Sequence, residues 1–318
     1  MSESLRVRVE QAAVESRIRI GGISLPHLGL RVIDRFLEVR GMGLAAEMTY
    51  YAILSIFPII GIVGTGLGFL ERFVGPEEAA AAERTILAGI ERVFATEVTQ
   101  DVFVPMIQGL IQEERTAFAL GSLLITLFLA SRIFRSTINT LEVAYQVEDG
   151  RGMAAVWGLG FLFSLGALLT GTLVLALIVV GPLLGGAHAV AAWLGLSEAF
   201  RLTWTLLEWP TVLLICIGFL TALYRLGPDV PNRWRDAVPG AILGVVGIIA
   251  VSLGFRSYLG IVGDTAPALT EAEALVSLSA QVIGAGLASL LWIWLSCMVI
   301  ILGGVLNAEI SSLRKAAT

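Results

Sequence analysis

Residues 282–306, VIGAGLASLLWIWLSCMVIILGGVL, run for 25 positions without one charged side chain. A helix that crosses a bilayer needs roughly 20 mostly apolar residues, so this stretch is long enough to span. Working outward, five further runs of the same kind fall near 44–70, 117–135, 155–184, 206–225 and 239–261. A soluble chain of 318 residues has no use for six such runs. The composition agrees: 56% of the residues are hydrophobic and 15% charged, where a globular domain carries about 25% charged. The fold class that follows is all-α: a polytopic membrane protein with six transmembrane helices, an extracytoplasmic helical hairpin and an N-terminal interfacial amphipathic helix.

The basic residues orient the bundle. Seven arginines precede residue 41; Arg132, Arg135 and Arg151 follow, then Arg225, Arg233 and Arg235, and finally Arg314 and Lys315. These 15 of the 21 Lys and Arg fall on one side, and the positive-inside rule places that side, with both termini, in the cytoplasm. The long segment 71–116 on the other side is acidic, with nine Asp or Glu against four Arg. The N-terminus is polar and mixed in charge, unlike a cleavable signal peptide, so the first span is expected to act as an uncleaved signal-anchor. Cys216 and Cys297 both lie in spans and read as small packing residues.

Along the chain, residues 1–25 read as a mobile leader, 26–312 as one membrane domain and 313–318 as a tail. Pro26 opens the amphipathic stretch PHLGLRVIDRFLEVR. Its Leu28, Val32 or Ile33, Phe36 and Leu37 recur at helical spacing, with Arg31, Asp34, Arg35 and Glu38 on the other face. Such a helix is expected along the inner headgroup layer. Between the first two spans, Ile86, Leu87, Ile90, Val93 and Phe94, then Val102 to Ile111, mark a helical hairpin within 76–114. Pro58 should kink the first span, and Pro239 fits the first turn of the fifth. Trp157 and Trp234 suit the inner interface; Trp292 and Trp294 fall nearer the midplane, where packing is the expected role. Gly64-x-x-x-Gly68 and Gly240-x-x-x-Gly244 allow close helix approach, either within the bundle or in a homo-oligomer.

Ionisable residues inside spans are costly and mark function or pairing. Here they collect near the basic ends of the helices. Arg132, Arg135, Asn139 and Glu142 follow i, i+3, i+7, i+10 and share a helix face; Glu47, Tyr51 and Ser55 make a second polar stripe. Both stripes are expected to face the bundle interior and to form a hydrated, cytoplasm-facing pocket lined by Glu47, Tyr51, Arg132, Arg135, Asn139 and Glu309. Arg132 or Arg135 would balance Glu47 or Glu309. Two arginines at headgroup depth could hold a lipid phosphate. The bland alternative is that these groups are interfacial caps and structural ion pairs.

The remaining chemistry is sparse. The two His, His27 and His188, fall on opposite sides of the membrane. There is no metal-ligand spacing, nucleophile elbow or phosphate-binding loop, and no basic surface interleaved with aromatics for nucleic acid. No carboxylate or His lies near the midplane to relay protons or line a charged filter. The chain reads as a non-enzyme without cofactor or metal.

Four motifs add a resemblance. AAEMTYYAILSIFPII (45–60) resembles the Tyr-, Leu-Ser- and Pro-containing first-span signature of the YihY/BrkB family of bacterial inner-membrane proteins. SRIFRSTINTLEVAYQV (131–147) resembles its stretch with a central Asn followed by Ile or Val and an aromatic. PDVPNRWRDAVPGAILGVV (228–246) resembles its P-x-x-x-V-P-x-R segment, and LWIWLSCMVIILGGVLNAEI (291–310) its final helix. All stand in the family's order, over roughly 26–312. The chain departs at the last, where Gly304 and Val305 replace the usual Ala-Glu; Glu309 remains, and Arg314 and Lys315 supply the basic residues usual after the helix. The resemblance implies six spans with cytoplasmic termini and a role in envelope integrity or lipid or amphiphile export. Some relatives carry a ribonuclease label, against which the residues argue. The expectation is a transporter-like bundle handling membrane lipid, an anionic lipid or another amphiphile, with no nucleic-acid partner. The alternative is a non-transporting scaffold for envelope assembly.

Overall fold

The computed structural model describes residues 19–20, 23–74, 116–147, 150–175, 198–231, 233–263 and 271–316, with a few isolated positions between them. The outer hairpin expected within 76–114 lies outside these residues. Seven helices are described: α1 Leu25–Glu38, α2 Gly41–Val74, α3 Thr116–Tyr145, α4 Met153–Leu175, α5 Glu198–Leu226, α6 Trp234–Gly263 and α7 Glu271–Ala316. Part of the expected leader forms a minimal antiparallel ladder, β1 Arg19–Ile20 with β2 Ile23–Ser24, pairing Arg19 with Ser24 and Ile20 with Ile23.

Among the described residues, five stretches are long and apolar enough to cross a membrane: Leu120–Tyr145, Met153–Val174, Trp209–Leu226, Trp234–Tyr258 and Gly286–Lys315. The expected first span falls within the 34-residue α2. Leu124, Leu169, Leu214 and Leu253 are exposed on the outside of the bundle. Lipid accepts such surface where water does not. The chain is a multi-pass, all-α membrane protein.

The helices form a closed ring. Each of α2 to α6 packs on the next, and α7 returns to α2 while also touching α3; α1 packs on α7. Small residues set the closest approaches. A Cβ at Gly240 would overlap the Gly303 carbonyl and the Asn307 amide, and one at Gly304 would overlap the Leu141 side chain. The Gly240-x-x-x-Gly244 pair is therefore used inside the bundle, Gly244 meeting Leu220 and Tyr224. The departure from the family motif fits this packing: position 304 has no room for a side chain, and Val305 is fully buried among apolar neighbours.

Two apolar clusters fill the bundle. In one, Ile138 and Leu141 of α3 meet Phe163 of α4, Leu220, Leu223 and Tyr224 of α5, and Ala237, Ala241 and Val245 of α6. Tyr224 is wholly buried, and its hydroxyl donates to the Ile300 carbonyl at 2.6 Å. In the other, Leu28, Val32 and Phe36 of α1 pack with Ala45, Met48, Ile301 and Val305. α1 thus rests on the protein by one apolar stripe, while Ile33 and Leu37 stay exposed on another side, as expected of a helix that also meets lipid.

Local signals explain the helix ends. Pro26 opens α1, and Arg40 closes it at φ 56, its N–H donating to the Leu37 carbonyl. Gln146, also at φ 56, closes α3: its N–H donates to Val143 and that of Val147 to Glu142, a Schellman pattern. α6 begins at Trp234, more than a turn earlier than the expected span, so Pro239 lies inside the helix and not in its first turn. Asp236 makes the early start workable, since its Oδ2 accepts from the Arg233 N–H at 3.3 Å, as an N3 carboxylate does. At the proline, Asn307 of α7 serves the α6 backbone: Oδ1 accepts from the Gly240 N–H (2.7 Å) and Nδ2 donates to the Ala237 carbonyl (2.9 Å).

Candidate functional site

The expected polar stripes do come together, but not where the sequence placed them. A crevice of about 180 Å³ between α2 and α3 is lined by Leu44, Glu47, Arg132, Arg135, Ser136 and Asn139. It does not face the bundle interior. The inward face of α3 is held by Thr137, Ile138 and Leu141, which are buried, whereas Asn139 and Glu47 are exposed. The interior at this level is filled by the apolar clusters, so the arginine stripe turns outward into the seam between α2 and α4.

Aromatic rings hold the guanidinium groups there. Arg135 lies over the Trp157 ring of α4, its Cζ 3.8 Å from the centroid. Arg132 sits among Tyr51 (5.6 Å), Phe128 (5.9 Å) and Trp157 (6.0 Å). Such cation–π contacts position a guanidinium without using its N–H groups. The Arg132 Nε and the Arg135 Nε and Nη1 are buried with no hydrogen-bond partner among the described residues, and the same holds for the Ser136 hydroxyl. Gly160 lets α4 approach α3 here, because a Cβ at that position would press on the Arg135 stem and the Ser131 carbonyl.

Glu309 is not part of the crevice, and the expected pairing of Arg132 or Arg135 with Glu47 or Glu309 is not formed among the described residues. Glu309 is buried at 3% exposure and bound by α1: Oε2 accepts from Arg31 Nε at 2.6 Å and Oε1 from Arg35 Nε at 3.3 Å. Arg35 also pairs with Glu38 (2.7 Å). With the Gln146 amide turned so that its oxygen faces α1, it accepts from Arg35 at 2.6 Å as well. The physical reason is reach: α1 packs directly on the end of α7, so its arginines meet Glu309 first. Glu142, on the edge of the arginine stripe, turns away too. It accepts from Arg151 at 2.7 Å, and Arg151 also donates to the Gly227 carbonyl just past the end of α5.

Sequence reasoning missed two contributors. Ser136 stands one helical turn after Arg132, a signal that was available; Trp157 was read only as an interface residue. Tyr50 and Tyr51, with rings 5.4 Å apart edge to face, mark a divide on α2. On the Tyr50 flank, between α2 and α7, lies an almost wholly apolar groove of about 570 Å³ lined by Ala46, Thr49, Tyr50, Ile53, Leu54, Leu290, Leu291 and Trp294. Trp294 is tied across it, its indole N–H donating to the Met42 carbonyl.

The fold and site define a polytopic helical membrane protein with a polar crevice lined from α2 and α3. The profile of the family described as Virulence factor BrkB matches residues 32–318, and the chain belongs to that family. It is 23% identical over 284 residues to a protein of Bacillus subtilis named as ribonuclease-like, YfkH, covering 89% of this chain and 95% of that one. No solved structure matches.

Proposed function

We propose that this protein is an inner-membrane, transporter-like bundle that handles an anionic lipid or other amphiphile and so contributes to envelope integrity. Both termini are cytoplasmic in this reading, as the basic residues of α1, the α3–α4 and α5–α6 connections and the tail require. The observation that carries it is the pair Arg132 and Arg135: two cations held by aromatic faces, with buried N–H groups unpaired among the described residues, in a crevice whose Glu47 and Asn139 are exposed. Buried donors of this kind call for an acceptor, and the acceptors present at a lipid-facing wall are headgroup phosphates. The apolar groove on the other flank of α2 supports the same reading, since it falls in the size range of small-molecule sites and suits an acyl chain.

The proposed role is non-catalytic and has no nucleic-acid partner, unlike what the name of the B. subtilis relative says of that protein. Native mass spectrometry of the chain extracted with its membrane lipids tests the reading. Wild type should retain an anionic lipid that Arg132→Gln/Arg135→Gln loses. Equal, unselective retention by both would overturn it, as would RNA hydrolysis by the purified protein that disappears in Glu47→Gln.

A further inference from the structure

The crevice holds more than two cations. Arg132, Arg135, Ser136 and Asn139 bring donors, and Glu47 brings the one carboxylate among its lining residues. Among the described residues Glu47 makes no ion pair with either arginine, so the crevice keeps both signs of charge open to a ligand. We infer that it recognises a phospholipid headgroup with a single phosphodiester charge and a free hydroxyl, as in phosphatidylglycerol. This rests on the proposed reading that the ligand is an anionic lipid.

The argument is a charge count with a positional constraint. Two guanidinium groups and one carboxylate leave a formal +1 among the lining residues. An uncompensated charge at a low-dielectric wall is costly. One phosphodiester closes the sum to zero. A zwitterionic headgroup brings no net charge and leaves +1 behind, and its ammonium would have to share about 180 Å³ with two guanidinium groups. A phosphomonoester, at close to −2, overshoots. Glu47 decides the rest: it repels phosphate, so the group facing it must be a donor, and a hydroxyl is the donor that keeps the sum at zero, where an ammonium would pair with Glu47 but leave +1 behind. Asn139 and the unpaired Ser136 hydroxyl supply neutral bonds to the same headgroup.

The experiment is lipid competition on the full-length protein in detergent, read by native mass spectrometry with added phosphatidylglycerol, phosphatidylethanolamine and phosphatidate of matched acyl chains. Wild type should prefer phosphatidylglycerol by about tenfold, the discrimination expected of one charge-assisted contact. Glu47→Gln raises the formal charge of the lining to +2 and should shift preference toward phosphatidate. Glu47 is exposed, so this variant leaves the packing intact and tests the inference even where the double arginine variant does not fold. Phosphatidylethanolamine binding best, with loss in Arg132→Gln/Arg135→Gln, would overturn the hydroxyl assignment and leave a phospholipid site standing. Equal binding of all anionic headgroups would likewise overturn the headgroup inference alone. Lipid binding indifferent to the arginines would overturn both.

Discussion

The arginines of α1 and the arginines of α3 lie in the same bundle and have opposite fates. Arg31 and Arg35, four residues apart, close on one buried carboxylate, and Arg35 gathers Glu38 and Gln146 besides. Arg132 and Arg135, three residues apart, lean on aromatic rings and leave N–H groups unpaired among the described residues. The first pair fastens one helix to another; the second is, in the proposed reading, the place for a lipid headgroup. What separates them is not residue type or spacing but what the opposing helix presents: Glu309 from α7 in one case, Tyr51 and Trp157 from α2 and α4 in the other.

Breaking the satisfied pair should have the largest effect. Glu309→Ala leaves Arg35, only 16% exposed, with the exposed Glu38 as its one counter-charge among the described residues, and removal of one partner of a buried pair costs about 3 kcal/mol. Arg31, at 38% exposure, adds no more than a surface pair does. Thermal unfolding in detergent, followed by tryptophan fluorescence, should show a large drop in Tm; an unchanged Tm would mean that α1 is not fastened there. Asn307→Ala comes next. It strands the buried Gly240 N–H and Ala237 carbonyl, a loss of about 2 kcal/mol by the same measurement.

The open pair should behave otherwise. Arg132→Gln/Arg135→Gln breaks no hydrogen bond or ion pair among the described residues, so in delipidated detergent it should cost about 1 kcal/mol, from lost cation–π contacts. Lipid retention, in contrast, should fall sharply. A stability loss as large as that of Glu309→Ala would erase the contrast. The smallest effect is expected at the α1–α2 corner. Arg40 is exposed at φ 56, a backbone region that glycine adopts freely, so Arg40→Gly should stabilise by about 0.5 kcal/mol, seen as a slightly higher Tm.

Much of this was legible in the sequence. The runs that became α2 to α7 are a one-dimensional property, apolar length against bilayer thickness, and the arginine stripe of α3 follows from helical periodicity alone. The grouping of Glu47 with Arg132, Arg135 and Asn139 was legible as a shared depth. The direction of the stripe was not, nor was the loss of Glu309 to α1. Pro239 was misplaced because the start of α6 depends on Asp236 and on Asn307, an amide 68 residues later in the chain that serves backbone groups beside the proline.

The sequence by itself determined that this chain lives in a membrane, how many long apolar segments it carries, and which residues repeat on one helix face. Tertiary structure alone decided the phase of each helix against its neighbours. That phase is set at the closest approaches, backbone on backbone at Gly240 and Gly303, and the Gly304 backbone on the Leu141 side chain. Once those contacts turn the buried face of α3 inward, the arginines must point out, because a side chain's direction around a helix is fixed at 100° per residue but its zero is chosen by the partner.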